Sequence, residues 1–213
     1  MNRRSFLGQA GRTLAGVLGA GHLSGRASAR PREDDLDQYD FILARIRFEE
    51  GQAPGVTPGP DVWNVRPGGD ANLLEELSRV LRCRVKPISG TRNWDPQYAE
   101  EGQLNAVVSL TEWERLIQYP FLFMTGENYF RLSTLEKHNL KAYLERGGFL
   151  FMDDCVMGSS GDFFYQSAYA VLEELFSPGA VKRIPHDHEI FRTVFDFSNR
   201  GLPRLRLINK PRA

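Results

Sequence analysis

Two four-residue runs with no polar side chain, both "FLFM", stand at residues 121–124 and 149–152. Each is too short for a buried helix and is bounded by turn residues, so each reads as a fully buried strand. Between them Ser133 and Glu136 form the pattern of a capping box, the amphipathic stretch "TLEKHNLKAYLER" (134–146) follows, and Gly147 sits where a helix closes. A helix joining two strands that are apolar on both faces is the pattern of a parallel pair covered on two sides. A chain built round that unit belongs in the α/β class.

The rest of the chain extends the pattern. "YDFILARIRF" (39–48), "CRVKPI" (83–88) and "AVKRI" (180–184) read as further strands. Asp70 is expected to cap a helix over "ANLLEELSRVLR" (71–82), with Leu73, Leu74, Leu77, Val80 and Leu81 on one face. "TEWERLIQ" (111–118), stopped by Pro120, and "DFFYQSAYAVLEELF" (162–176), ended by Pro178 and Gly179, complete the helices. Residues 49–69 and 89–104 are long loops, the first rich in Gly and Pro and both carrying a Trp. In parallel sheets ligands bind beyond the carboxyl ends of the strands, where the strand order switches. That rule gathers Glu49, Ser89, Thr125, Gly126, Glu127, Asn128, Asp153, Asp154, Cys155 and Pro185–His188 along one edge.

The N-terminus carries a different message. "NRRSFLG" sets Arg3 and Arg4 ahead of an apolar pair, a weakly apolar stretch follows, and "ASA" at Ala27–Ala29 has the small-x-small form of a cleavage site. This reads as a twin-arginine signal peptide over residues 1–29, cut after Ala29, which makes the protein exported and periplasmic. The stretch is short of the roughly 20 apolar residues of a membrane anchor, so no stable span is expected once the signal is removed. Residues 30–38 read as a charged linker and 39–213 as a single domain. Residues 1–29 hold four Arg and no acid, so the remainder has 23 basic against 27 acidic residues. A mildly acidic body argues against a nucleic-acid binder, which would show a basic face, and no nucleic-acid partner is expected. Twin-arginine substrates cross the membrane folded, so Cys83 and Cys155 are expected as free thiols, their Cα atoms beyond the roughly 7 Å limit of a disulfide.

Three separated phrases, "WNVRPGGDANLLEEL", "YPFLFMTGENYFRLSTLEKHNLKAYLERGGFLFMDDC" and "IPHDHEIFRTVFDF", occur in the order found in one bacterial family, and the chain resembles domain of unknown function 4159 over roughly residues 39–203. The resemblance implies a flavodoxin-like, three-layer αβα sandwich similar to class I glutamine amidotransferases, and many members of that family carry twin-arginine signals. It implies no reaction. It also implies further strands past Pro203, so the C-terminus here is expected to be truncated.

The candidate chemistry is concentrated in "GGFLFMDDC" (147–155). In amidotransferase-like folds a nucleophile follows a core strand, which is the place of Cys155, with His186 or His188 as its base. Two neighbouring carboxylates would raise the thiol pKa, and the small residues of a nucleophile elbow are missing, so a buried, unreactive thiol is the better reading. Asp153 and Asp154 alternate faces, so one can enter an edge cleft while the other caps a turn. Asp154 with His188 is the candidate catalytic pair, and Asp154, His186 and His188 the candidate metal set. The resemblance keeps Asp187 with His188 but not His186, which favours an Asp–His pair that orients a loop. Asp153, Asp187, Thr125, Gly126 and Glu127 are candidate ligand contacts, Gly126 either presenting N–H groups to an anion or serving a turn of positive φ. Trp63, Asn64 and Arg66 either line a pocket, Arg66 suiting a carboxylate or phosphate, or belong to a loop pinned by a buried Trp. No cofactor is specified. Two functions remain: a non-catalytic binding or assembly module for a small molecule or envelope protein, and a hydrolase-like enzyme using Asp154 and His188, metal-assisted or not.

Overall fold

The computed structural model describes residues 33–49, 62–65, 67–88, 103–126, 128–154, 162–194 and 196–197. Within them four parallel strands, β1 (Ala44–Arg47), β2 (Ala106–Ser109), β3 (Phe121–Gly126) and β4 (Phe149–Asp154), lie in the order β2-β1-β3-β4. The helices are α1 (Glu33–Gln38), α2 (Gly68–Val80), α3 (Trp113–Leu116), α4 (Thr134–Glu145) and α5 (Phe163–Phe176). This is the α/β class expected. The Cα register of β3 on β4 is unbroken from Phe121–Phe149 to Gly126–Asp154, so the two FLFM runs lie side by side.

Strand alternation sends the two halves of each run to opposite faces. Leu122 and Met124 join Ala44 and Ile46 in the larger core, which is closed by Leu116 of α3, Leu140 and Tyr143 of α4, and Phe164, Ala168 and Val171 of α5. Leu43 and Phe123 form a smaller core with Leu74 of α2, edged by Phe41, Leu73, Val85, Ile88 and Phe121. The β3–β4 connection follows the expected pattern closely. Ser133 Oγ accepts the Glu136 N–H, the Glu136 carboxylate accepts the Ser133 N–H, and Gly147 closes the helix end with φ +87°.

Elsewhere the structure corrects the sequence reading. Residues 83–88 make only an isolated bridge, Phe41 to Val85, and the place beside β1 goes to Ala106–Ser109, a stretch that had been assigned to no element. Buried Asn105 joins the two pieces. Its Oδ1 accepts the Leu43 N–H at 2.9 Å, and its Nδ2 donates to the carbonyls of Lys86 and Pro87 at 3.0 and 3.2 Å. A side-chain amide thus replaces a peptide group where the strand is interrupted.

Residues 180–184 form no fifth strand. The Ala180 N–H donates to the Ser177 carbonyl and the Val181 N–H to Glu173 Oε1, so the chain folds back on the end of α5 instead of extending beside β4. α2 starts at Gly68, not after Asp70, and its N-cap is Pro67. A six-residue helix, α1, lies within the segment read as a linker.

Asp70 is no cap because it has a stronger partner. Arg45, on β1 and 2% exposed, donates to the Asp70 carboxylate through Nε and Nη2, both at 2.7 Å, and through Nη1 to the carbonyls of Trp63 and Val65 at 2.9 Å. Its guanidinium also lies over the Phe123 ring at 5.1 Å. This bidentate fork satisfies a buried cation with an anion and two carbonyls, and it ties the Val62–Asn64 turn and the first turn of α2 to the central strand.

Candidate functional site

The strand order reverses at β1, which lies between β2 and β3, so the switch point opens beyond Arg47–Glu49 and Thr125–Gly126. On the α5 side this crevice is filled. Phe48, Phe130 and Phe164 pack there with ring centroids 5.1 to 6.0 Å apart. Gly126 belongs to β3 and has no positive φ. A Cβ at this position would lie 2.9 Å from Phe164 Cδ2 and 3.0 Å from Phe48 Cζ. Close approach of two rings, not a turn of positive φ, is therefore what requires glycine. Thr125 is buried in β3, and Glu127 lies outside the described residues.

Asp153 and Asp154, in register with Thr125 and Gly126, take opposite faces and different tasks. Asp154 Oδ2 accepts the Tyr165 N–H at 3.0 Å, in the first turn of α5. Asp162, the N-cap residue of α5, makes no side-chain cap of its own. The neighbouring strand thus supplies the carboxylate that accepts from this first turn, at the helix's positive end. Asp153 points to the other face, exposed. Partial burial raises its carboxyl above the ordinary aspartate value, and the charge of Asp154 raises it further.

The face that Asp153 shares is aromatic. Phe121 stacks on Phe149 at 5.2 Å and Phe123 on Phe151 at 5.7 Å, with Phe41 tilted against Phe121 at 5.5 Å. Phe149 is 51% and Phe151 43% exposed. The second FLFM run is therefore not the fully buried strand that its composition suggests. It lies at the sheet edge, and the smaller core covers only the β1 and β3 part of this face.

The remaining candidates are dispersed or lie elsewhere. His186, Asp187 and His188 are all exposed. His188 Nδ1 accepts the Ile190 N–H at 3.2 Å and so caps the Glu189–Arg192 turn, while the Asp187 carbonyl accepts from Arg192 at 2.6 Å. Among the described residues no three His, Cys, Asp or Glu side chains gather as a metal site, so Asp154, His186 and His188 do not form one. Trp63 and Asn64 are buried beside the carbonyls held by Arg45, and Cys83 is a free thiol. Arg66, Ser89, Cys155 and the leader with Arg3, Arg4, Ala27 and Ala29 lie outside the described residues. The sequence reading missed two features: the Arg45–Asp70 pair and the exposure of Phe149 and Phe151. The signal for the pair was a lone cation at an inward position of an apolar strand.

The fold and this edge define a parallel α/β domain whose last described strand presents an aromatic face ending in a carboxylate. The sequence model of the family described as Domain of unknown function (DUF4159) matches residues 43–211, and the chain belongs to that family. No curated protein matches the chain. Among the described residues no helix is long and apolar enough to cross a membrane.

Proposed function

We propose that this protein is an exported, periplasmic binding or assembly module, without catalytic activity, on a flavodoxin-like, class I glutamine amidotransferase-like sandwich. The observation that carries the binding reading is the exposed Phe149–Phe151 face, stacked on β3 and ending at Asp153. Contiguous exposed aromatic surface on a sheet is characteristic of interaction sites. The polar atoms proposed for catalysis are engaged in local structure instead, Asp154 at the start of α5 and His188 at the Glu189–Arg192 turn. The fold assignment is supported by the order 2-1-3-4, which is that of the first four strands of a flavodoxin-like sheet. The export assignment is supported by Arg3, Arg4 and the Ala27–Ala29 site.

The test compares the mature protein with a Phe149→Ser, Phe151→Ser variant of unchanged circular dichroism, each cross-linked in periplasmic extract. A defined partner captured by the first and lost by the second is the expected result. Turnover of ester or amide substrates by the purified protein, lost in Asp154→Asn and with no partner captured, would replace the binding reading with the hydrolase one.

A further inference from the structure

Arg45, Phe123 and Phe151 stand in one row across three strands, since Arg45 is in register with Phe123 and Phe123 with Phe151. The row is a stack of planar groups. The Arg45 guanidinium lies over the Phe123 ring at 5.1 Å, and Phe123 stacks on Phe151 at 5.7 Å with 18° between the ring planes. In the neighbouring row Phe121 stacks on Phe149 at 5.2 Å and 13°. Phe149 and Phe151 thus each give one ring face to β3, and their exposure leaves the other face to a ligand. Asp153 continues the same column of alternate residues. Among the described residues no cation or hydrogen-bond donor meets its carboxylate, and Asp154 beside it adds negative charge.

Charge and spacing decide what this strip fits. Ring faces carry the negative side of the aromatic quadrupole and the carboxylate is an anion, so the strip selects a cation. A planar guanidinium both stacks on a ring and forks onto a carboxylate, which an ammonium cannot do. The protein already makes that choice once on this face, where Arg45 lies over Phe123 and forks onto Asp70. Phe149, Phe151 and Asp153 repeat at about 6.6 Å and together extend over about 13 Å. One cation covers only part of that length. An extended peptide presents its alternate side chains at the same repeat, so two arginines separated by one residue match the two rings.

We propose, building on the binding reading above, that the partner is a protein presenting an extended arginine-x-arginine segment to this face. One guanidinium stacks on the outer face of Phe149, and the other stacks on Phe151 and reaches Asp153. The contacts are between side chains on the face of the sheet, so the backbone edge of β4 takes no part in them.

The probe is the peptide acetyl-Ala-Arg-Ala-Arg-Ala-amide, titrated into the full chain and followed by the amide chemical shifts of residues 149–153. Saturable shifts are expected there. Affinity should fall roughly tenfold in Phe149→Leu, Phe151→Leu, which keeps the apolar bulk and removes the rings. It should also fall in Asp153→Asn, and the remaining binding should depend less on salt. The same peptide with glutamine in place of both arginines should not bind. Absence of shifts with the arginine peptide, equal binding of the glutamine peptide, or unchanged affinity in both variants overturns the proposal. Saturable binding of maltotetraose at the same residues also overturns it, in favour of a neutral saccharide. A partner still captured through Phe149 and Phe151, with no response to the arginine peptide, removes the arginine inference and leaves the binding reading standing.

Discussion

Arg45 and Asp70 show what one residue position can decide. Both are almost wholly buried, and burial pushes the Asp70 carboxyl up while the guanidinium opposes that shift. Removing one member leaves the other charge without compensation. Asp70→Asn is therefore expected to lower stability by about 3–5 kcal/mol, read from the urea midpoint at unchanged slope. Asp153 has the opposite signature. Its folded carboxyl lies above the ordinary value, so the native state binds more protons than the unfolded one between the two values, and stability falls as pH rises through that window. At neutral pH the cost is fully present. Asp153→Asn is expected to melt higher than the unaltered protein at pH 7, with the difference closing as pH falls below about 3, where both side chains are neutral. A melting-temperature series across that range reads it.

At the scale of elements, local signals succeeded where their partners were also local. The capping box at Ser133–Glu136 and the glycine stop at Gly147 involve residues three or four apart, and both formed as read. The strands beside β1 were misread because their pairing is remote. "CRVKPI" was read as a strand and "AVVS" passed over, yet the second takes the ladder and buried Asn105 ties the first in at its edge. Asn105→Leu would strand the Leu43 N–H and two carbonyls, and should cost about 2–4 kcal/mol. Chemical denaturation measures that loss, and hydrogen exchange would show β2 opening before β3. "AVKRI" was misread for a similar reason, since the Glu173 carboxylate competes for its backbone at the end of α5. Asp154 was legible as a polar residue at the carboxyl end of a core strand, whereas the edge position expected for His188 rested on a strand at 180–184 that does not form. What each hydrogen-bonds was not legible, because Tyr165 and Ile190 become partners only once α5 and the Glu189–Arg192 turn are formed.

For the whole molecule, one expectation concerns where it works. Substituting Arg3→Lys together with Arg4→Lys is expected to leave the protein in the cytoplasm of a host with a twin-arginine pathway, with residues 1–29 still attached. Cell fractionation and N-terminal sequencing check it, the unaltered protein beginning at Arg30 in the periplasm. The amino-acid order by itself determined the alternation of helices with apolar strands, the parallel α/β class and the edge at which polar residues collect. Those follow from periodicity, caps and turn residues, whose range is a few positions. Only the tertiary structure decided that β4 is the outermost described strand, that Asp154 serves α5 while Asp153 faces outward, and that a run of Phe, Leu, Phe and Met is half exposed. Burial and hydrogen-bond partnership depend on what packs alongside, and for β4 that is set by strand order, which four apolar letters do not encode.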